Sequence, residues 1–136
     1  MDGQRVPNLE EMDEREAYRF LSELFPKLSP QDEYEIRHPD DYVMEMVQSG
    51  ERIRGREKML EFQEAYPAPP AMRLRRVIVR EGLWLVELVS DYGGQVYNVA
   101  LIIELKDGKM WRETRYYAEQ FEAPEWRAQW VEQMES

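Results

Sequence analysis

The sequence predicts an α+β fold in which three helices precede a strongly curved antiparallel sheet and a short helix closes the chain. Three observations carry this expectation. At Met72 the hydrophobic period changes from about 3.6 residues to about 2, the repeats of helix and strand. Beyond that point Glu81-Gly82, Gly93-Gly94 and Asp107-Gly108 interrupt the pattern as tight hairpin turns would. Before it, capping residues and prolines mark helix boundaries.

Asn8 and Glu11 have the spacing of a capping pair, and Leu9, Met12, Ala17, Phe20, Leu21 and Leu24 follow helical spacing. A first helix is expected from about Leu9 to Leu24, stopping before Pro26. Ser29-Pro30-Gln31-Asp32 supplies a hydroxyl cap, a proline at the first helical position and an acid at the positive end of the dipole. The short helix it starts is ended by His38-Pro39-Asp40-Asp41. Tyr42 to Gln48 alternates as a strand, turned by Ser49-Gly50. Gly55 precedes a third helix with Met59, Phe62, Gln63 and Tyr66 on one side, stopped by Pro67, Pro69 and Pro70. The meander comprises Met72–Arg80, Leu83–Tyr92, Gln95–Lys106 and Lys109–Ala118. Pro124 opens the last helix, with Trp126, Trp130 and Met134 four apart. A curled sheet with helices on one side encloses a space that is filled by side chains or left as a pocket. A single domain over residues 1–136 is expected at this length.

With 43% hydrophobic residues, 4 Trp, 8 Tyr and 4 Phe, the chain can build a core despite its charge. The absence of cysteine excludes disulfides, thiolate metal sites and a cysteine nucleophile. No apolar run approaches the roughly 20 residues of a membrane span, and Met1 to Asp13 is polar and acidic, so a cytoplasmic location is expected. The net charge of −10 argues against nucleic acid. That charge is uneven: residues 1–45 hold 13 acids against 5 bases, while Arg52, Arg54, Arg56, Lys58, Arg73, Arg75, Arg76 and Arg80 make the middle basic. Solvated strand edges account for these arginines; an anion-binding patch is the sharper alternative. His38 is the only histidine, so His-based triads and multi-histidine metal sites are excluded, and its turn setting suggests an exposed structural role. No phosphate loop or dinucleotide fingerprint occurs, and no cofactor is expected.

Three stretches go further. They are Gln48-Ser49-Gly50-Glu51-Arg52-Ile53-Arg54-Gly55-Arg56-Glu57, then Asp107-Gly108-Lys109-Met110 with Arg112-Glu113, and Tyr116 through Arg127. In this order and spacing, over roughly Leu9 to Glu132, they resemble the nuclear transport factor 2-like superfamily and its SnoaL-like (polyketide cyclase-like) branch. The resemblance implies a cone-shaped container for a small molecule. It implies no single activity, because the superfamily holds isomerases, epoxide hydrolases, cyclases, dehydratases and plain binding modules. Val47 and Gln120 depart from it where proline is expected, both near the rim of the cone.

Laid on the steroid-isomerase pattern, the chain has Met46 at the base, Phe20 at the tyrosine and Ile102 at the second acid, so that chemistry is not expected. A slip of one residue puts Glu45 at the base but leaves the other two groups missing. The same overlay turns Tyr42, Met44 and Met46 inward, with Trp84, Val86, Leu88 and Ser90, then Asn98, Ala100 and Ile102, then Trp111, Glu113, Arg115 and Tyr117. Phe20, Leu24, Met59 and Phe62 from the helices complete the wall. Glu113 and Arg115 share a strand face and are the candidate catalytic groups, as base and oxyanion partner, with a structural ion pair as the plainer reading. Glu119 is a further acid near the mouth. No second inward acid, which an epoxide-hydrolase site would need, is legible. A small-molecule-binding protein, with acid/base isomerase, cyclase or hydrolase chemistry on an apolar substrate, is the leading expectation. A non-catalytic dimeric module with a filled cone is the alternative. Leu85, Val89, Val96, Ile103 and Tyr116 on the convex face would make the homodimer contact.

Overall fold

The computed structural model describes residues 6–66 and 69–135. A 3-10 turn, Leu9–Glu11, precedes helix α1, Glu14–Arg19, which widens into a π-helical stretch, Phe20–Leu24, and ends in a 3-10 turn, Phe25–Lys27. The expected continuous helix is therefore interrupted at both ends. Its capping box belongs to Asp13 and Glu16: each side chain accepts the other residue's backbone N–H, at 2.8 and 3.1 Å. Asn8 instead caps the short turn, accepting from the Glu10 N–H at 3.0 Å. The π-helical stretch adds a residue to the turn, and Phe20 is buried while Leu24, expected in the wall, is exposed.

Helix α2, Pro30–Glu35, starts at Ser29 with the expected box to Asp32. Strands β1, Val43–Met46, and β2, Glu51–Arg54, form a hairpin. β2 went unread because Glu51-Arg52-Ile53-Arg54 has one apolar side chain and no alternation to show. Helix α3, Arg56–Ala65, follows; Pro67, one of its expected stops, lies outside the described residues. The meander is β3, Ala71–Arg80, β4, Leu83–Tyr92, β5, Gln95–Lys106, and β6, Lys109–Glu119. All join one six-stranded sheet, in the order β2-β1-β6-β5-β4-β3, with β1 parallel to β6 and the other neighbours antiparallel. The final helix is a 3-10 segment, Glu125–Trp130, not an α-helix, and its apolar side chains are exposed.

The turns decide which face each strand residue takes. Gly93-Gly94 sets Tyr92 opposite Gln95, so Ser90 meets Tyr97 and Trp84 meets Ile103. Directly opposite residues share a sheet face. The concave face thus carries Trp84, Val86, Leu88 and Ser90 from β4 and Tyr97, Val99, Leu101 and Ile103 from β5. Asn98, Ala100 and Ile102, expected inside, point to the convex face, and Ile103, expected outside, is 1% exposed in the core. β5 is apolar at both parities, so alternation could not choose its face; the register of the turn does.

A bulge makes a second correction. Between Glu104 and Leu105 the β5–β6 register shifts, so Leu105 opposes Met110 and Glu104 opposes Arg112. Met110 takes the inward place. Trp111, expected in the wall, is the extra residue and lies half-buried with the Lys106 ammonium 5.0 Å from its ring centre.

Two apolar clusters fill the lower cone. Leu9, Phe20, Leu28, Ile36, Trp84, Ile103 and Met110 pack between the N-terminal helices and the sheet, with Phe20 edge-on to Trp84 at 6.3 Å. Tyr42, Met44 and Met59, with Met46 and Ile53, pack between β1–β2 and α3. His38 is buried, not exposed as expected: Nδ1 accepts from the Asp40 and Asp41 N–H groups at 3.2 and 3.1 Å, and Nε2 lies 2.9 Å from Asp107. The ring thereby pins the turn before β1 to the last hairpin. Asp107 and Gly108 both have positive φ, and a Cβ on Gly108 would meet Asn8 Oδ1 at 2.8 Å, so glycine is favoured there.

Candidate functional site

Glu113 lies between Met44 of β1 and Ile103 of β5, where the two apolar clusters meet. It is 6% exposed, and an unpaired carboxylate there would be strongly destabilising. The surroundings prevent that. Its Oε1 accepts hydrogen bonds from Arg115 Nη2 at 2.8 Å, Arg115 Nε at 3.2 Å and the Tyr42 hydroxyl at 3.1 Å. Strand alternation puts Glu113 and Arg115 on one face, and parallel pairing with β1 brings Tyr42 beside them.

A second polar group adjoins the first. Arg37 is buried at the end of α2, its guanidinium 5.3 Å from the Tyr42 ring centre. Arg37 donates to Gln63 Oε1 of α3 at 2.8 Å and to Glu33 Oε1 of α2 at 3.4 Å. Gln63 Nε2 donates to Glu33 at 3.1 Å. The seam therefore holds two carboxyl groups and two guanidinium groups, supplied by α2 and its C-terminal turn and by β6, with the Gln63 amide from α3.

The two carboxyl groups are displaced in opposite directions. Burial pushes the Glu113 pKa up, but Arg115, Arg37 and the hydrogen bonds from Arg115 and Tyr42 outweigh it and hold it below the ordinary carboxylate value. For Glu33 burial wins: Arg37 and Gln63 pull its pKa down, the Glu113 charge pushes it up, and the net result is raised. Burial, with the Glu113 charge, also raises the Tyr42 pKa and keeps the phenol a hydrogen-bond donor. Two carboxyl groups whose pKa values are displaced in opposite directions within one seam are the kind of pair to which separate acid and base roles can be assigned.

Phe20, Tyr42, Met44, Met59, Trp84 and Val86 are buried side chains of the packed floor. Met46, Leu88 and Tyr117 are half-buried and Phe62 is 39% exposed. Arg115 keeps 22% of its side chain exposed, so the seam is reached from that end. Tyr97 stacks edge-on between Tyr92 and Tyr117, at 5.8 and 6.0 Å, on the concave surface beyond it. Gln48 in the β1–β2 turn brackets the Tyr117 backbone, donating to its carbonyl and accepting from its N–H. Asn98 instead borders a convex-side hollow of about 410 Å³ with Arg75, Glu87, Ala100 and Tyr116. Glu119 is exposed.

The steroid-isomerase groups are missing at the corresponding places. Ile102 faces outward, its inward neighbours Leu101 and Ile103 carry no acid, and Glu45 points to the convex face, bonded to Arg112 and Thr114 at 3.1 and 3.0 Å. Among the described residues no group of three His, Cys, Asp or Glu side chains could hold a metal ion. Among the described residues no helix is long and apolar enough to cross a membrane. Glu33, Arg37 and Gln63 were missed as site residues. The i,i+4 spacing of Glu33 and Arg37 was visible, but on a short helix it resembles any solvated ion pair.

No family model matches the sequence, and curated proteins return no match. Solved structures do. An NTF2-like protein of unknown function from Burkholderia xenovorans superposes with a TM-score of 0.71 and 36% identity, over 78% of this chain and 83% of that one. The chain belongs to the NTF2-like family. Two more distant structures share the fold of this NTF2-like chain. One, described as a candidate ketosteroid isomerase from Kribbella flavida, has a TM-score of 0.73 at 23% identity, over 88% and 87% of the two chains. The other, an LEH-like epoxide hydrolase from M. tuberculosis, has a TM-score of 0.59 at 20% identity, over 76% and 80%.

Proposed function

We propose that this NTF2-like chain, a SnoaL-like member, binds a small apolar molecule at the open end of its concave face. There it performs cofactor-independent acid/base chemistry of the isomerase, cyclase or hydrolase type. The observation that carries this reading is the seam in which Glu113 accepts hydrogen bonds from Arg115 and Tyr42 while Glu33 accepts from Arg37 and Gln63, which gathers two carboxyl and two guanidinium groups in one place. The fold shared with an epoxide hydrolase makes hydrolysis the first reaction to test. Glu113 would remove a proton from water as the water oxygen bonds to an epoxide carbon. The carbon–oxygen bond then breaks, and Glu33 supplies a proton to the leaving oxygen.

The experiment is turnover of a panel of small apolar epoxides and β,γ-unsaturated ketones. Glu113→Gln should lower kcat/KM on any substrate found by about 10²–10⁴-fold, the usual range for a lost acid/base group. Asn98→Ala, on the convex face, should leave it unchanged. Wild-type rates in the Glu113→Gln variant would remove Glu113 from the chemistry.

A second reading is a non-catalytic dimeric module. The filled floor favours it, since Phe20, Trp84, Met44 and Met59 occupy the deep part of the cone. Binding of an apolar probe without turnover of any panel member would select it.

Both readings include a homodimer through the convex face. Leu85 and Tyr116 are exposed there, in line with Ile78, Val89, Ala100 and Ile102. Light scattering at micromolar concentration should give about twice 16.4 kDa, and Leu85→Asp should shift the mass toward the monomer. A wild-type monomer would overturn the pairing.

A further inference from the structure

Two surface features have no part in the seam, and they are complementary. The first is a groove of about 630 Å³ between β2 and α3, lined by Arg52, Ile53, Arg54, Lys58, Glu61 and Phe62. Ile53 and Phe62 give it an apolar floor. Arg52, Arg54 and Lys58 border it with one acid, Glu61; Arg52 also lies opposite Glu45 of β1 and feels its charge, while among the described residues no salt bridge holds Arg54 or Lys58. This is the basic stretch noted in the sequence, now seen to have a concave shape and apolar content. Solvated strand edges need neither.

The second feature is the C-terminal segment, residues 120–135. Phe121 is 81% exposed, Trp126 73% and Trp130 71%, and Met134 is exposed as well. Among the described residues no hydrogen bond or ion pair ties the segment to the rest of the chain. Its charged side chains are Glu122, Glu125, Glu132 and Glu135 against Arg127. Large aromatic side chains standing free in an acidic segment call for an apolar, basic site.

We propose that residues 120–135 of one copy dock into the β2–α3 groove of a second copy, Trp126 or Trp130 filling the apolar floor and the glutamates facing Arg52, Arg54 and Lys58. Buried tryptophans surrounded by charged rims are the usual anchors of such contacts. In a single copy the segment and the groove stay apart and both stay open. A reciprocal exchange between two copies satisfies both features twice and closes the assembly at two chains. The contact requires a second copy but does not require the sheet face to be the main interface, and it is independent of any chemistry in the cone.

Sedimentation equilibrium on full-length variants tests it. The tail variant is Trp126→Ala with Trp130→Ala; the groove variant is Arg54→Glu with Lys58→Glu. All four residues are on the surface, and circular dichroism checks the fold. Each variant should raise the dimer Kd by at least about tenfold, and wild-type association should weaken with salt. An equimolar mixture of the two variants should associate more tightly than either alone, because the intact tail of one meets the intact groove of the other. An unchanged Kd in either variant overturns the proposal. So does a mixture no tighter than its components, the result expected if the tail folds onto its own groove. Loss of pairing in Leu85→Asp reports on the sheet face, and loss of turnover in Glu113→Gln on the cone, so the three ideas fail separately.

Discussion

Glu113→Gln should destabilise the fold by about 3–5 kcal/mol, the range for removing one partner of a buried ion pair. The carboxylate is the shared counter-charge of Arg115 and Arg37, and its Oε1 accepts three hydrogen bonds. An amide keeps the shape but strands the Arg115 guanidinium and leaves Arg37 with Glu33 alone. Arg115→Met should be costly for the reciprocal reason, and the double variant should lose less than the sum, since the second change removes the group stranded by the first. Urea unfolding of the four proteins measures this. Single effects below about 1 kcal/mol would be those of a solvent-exposed pair and would contradict the burial of the seam.

The same pair sets a pH dependence. Glu113 titrates in the folded chain below its ordinary value of 4.5. Its contribution is therefore complete above that value and is lost as pH falls through the folded pKa. Glu33 works in the other direction. Its folded pKa is raised above 4.5, so its ionisation opposes folding as pH rises from 4.5 through the folded value. Glu33→Gln should flatten that slope and be neutral or stabilising near pH 7, in contrast to Glu113→Gln. Unfolding midpoints measured across acid pH separate the two carboxyl groups.

Trp84→Ala should cost about 3–5 kcal/mol, the range for truncating a large buried aromatic side chain. Trp84 is among the largest fully buried side chains, packed edge-on against Phe20 and opposite Ile103. Its removal should open a dry apolar cavity in the cone floor, and such cavities take benzene or xenon. Part of the lost stability should return when benzene is added, by mass action on the folded state. A cost under about 1 kcal/mol, or no response to benzene, would mean that the floor collapses or was never tightly filled.

Much of the fold could be read along the chain because it is set by neighbours in sequence. The Ser29 cap, the proline after it and the three glycine turns act over a few residues. Their elements, α2, β4 and β5 above all, lie where those residues put them. The pairing of Glu113 with Arg115 belongs to the same class, since two residues apart on a strand means one face. The face of β5 was also legible in principle from the two-residue turn at Gly93-Gly94, but its apolar residues at both parities concealed it. The bulge that moved Trp111 out of the wall left no mark in the pattern of apolar residues.

Local sequence, then, determined every strand but β2, the hairpin turns and the shared face of Glu113 and Arg115. Tertiary structure decided what surrounds that pair. Glu33, Arg37, Gln63 and Tyr42 come from α2 and its C-terminal turn, α3 and the residue before β1, and meet Glu113 across as many as 80 residues of chain. Tyr42 was expected to face inward only through the family overlay, and Glu33, Arg37 and Gln63 are not marked as site residues by their own neighbourhoods. Only the packing of α2 and α3 over the β1–β6 pair excludes water from that space. Without water the carboxyl and guanidinium groups must satisfy one another, and the two carboxyl groups take opposite protonation tendencies.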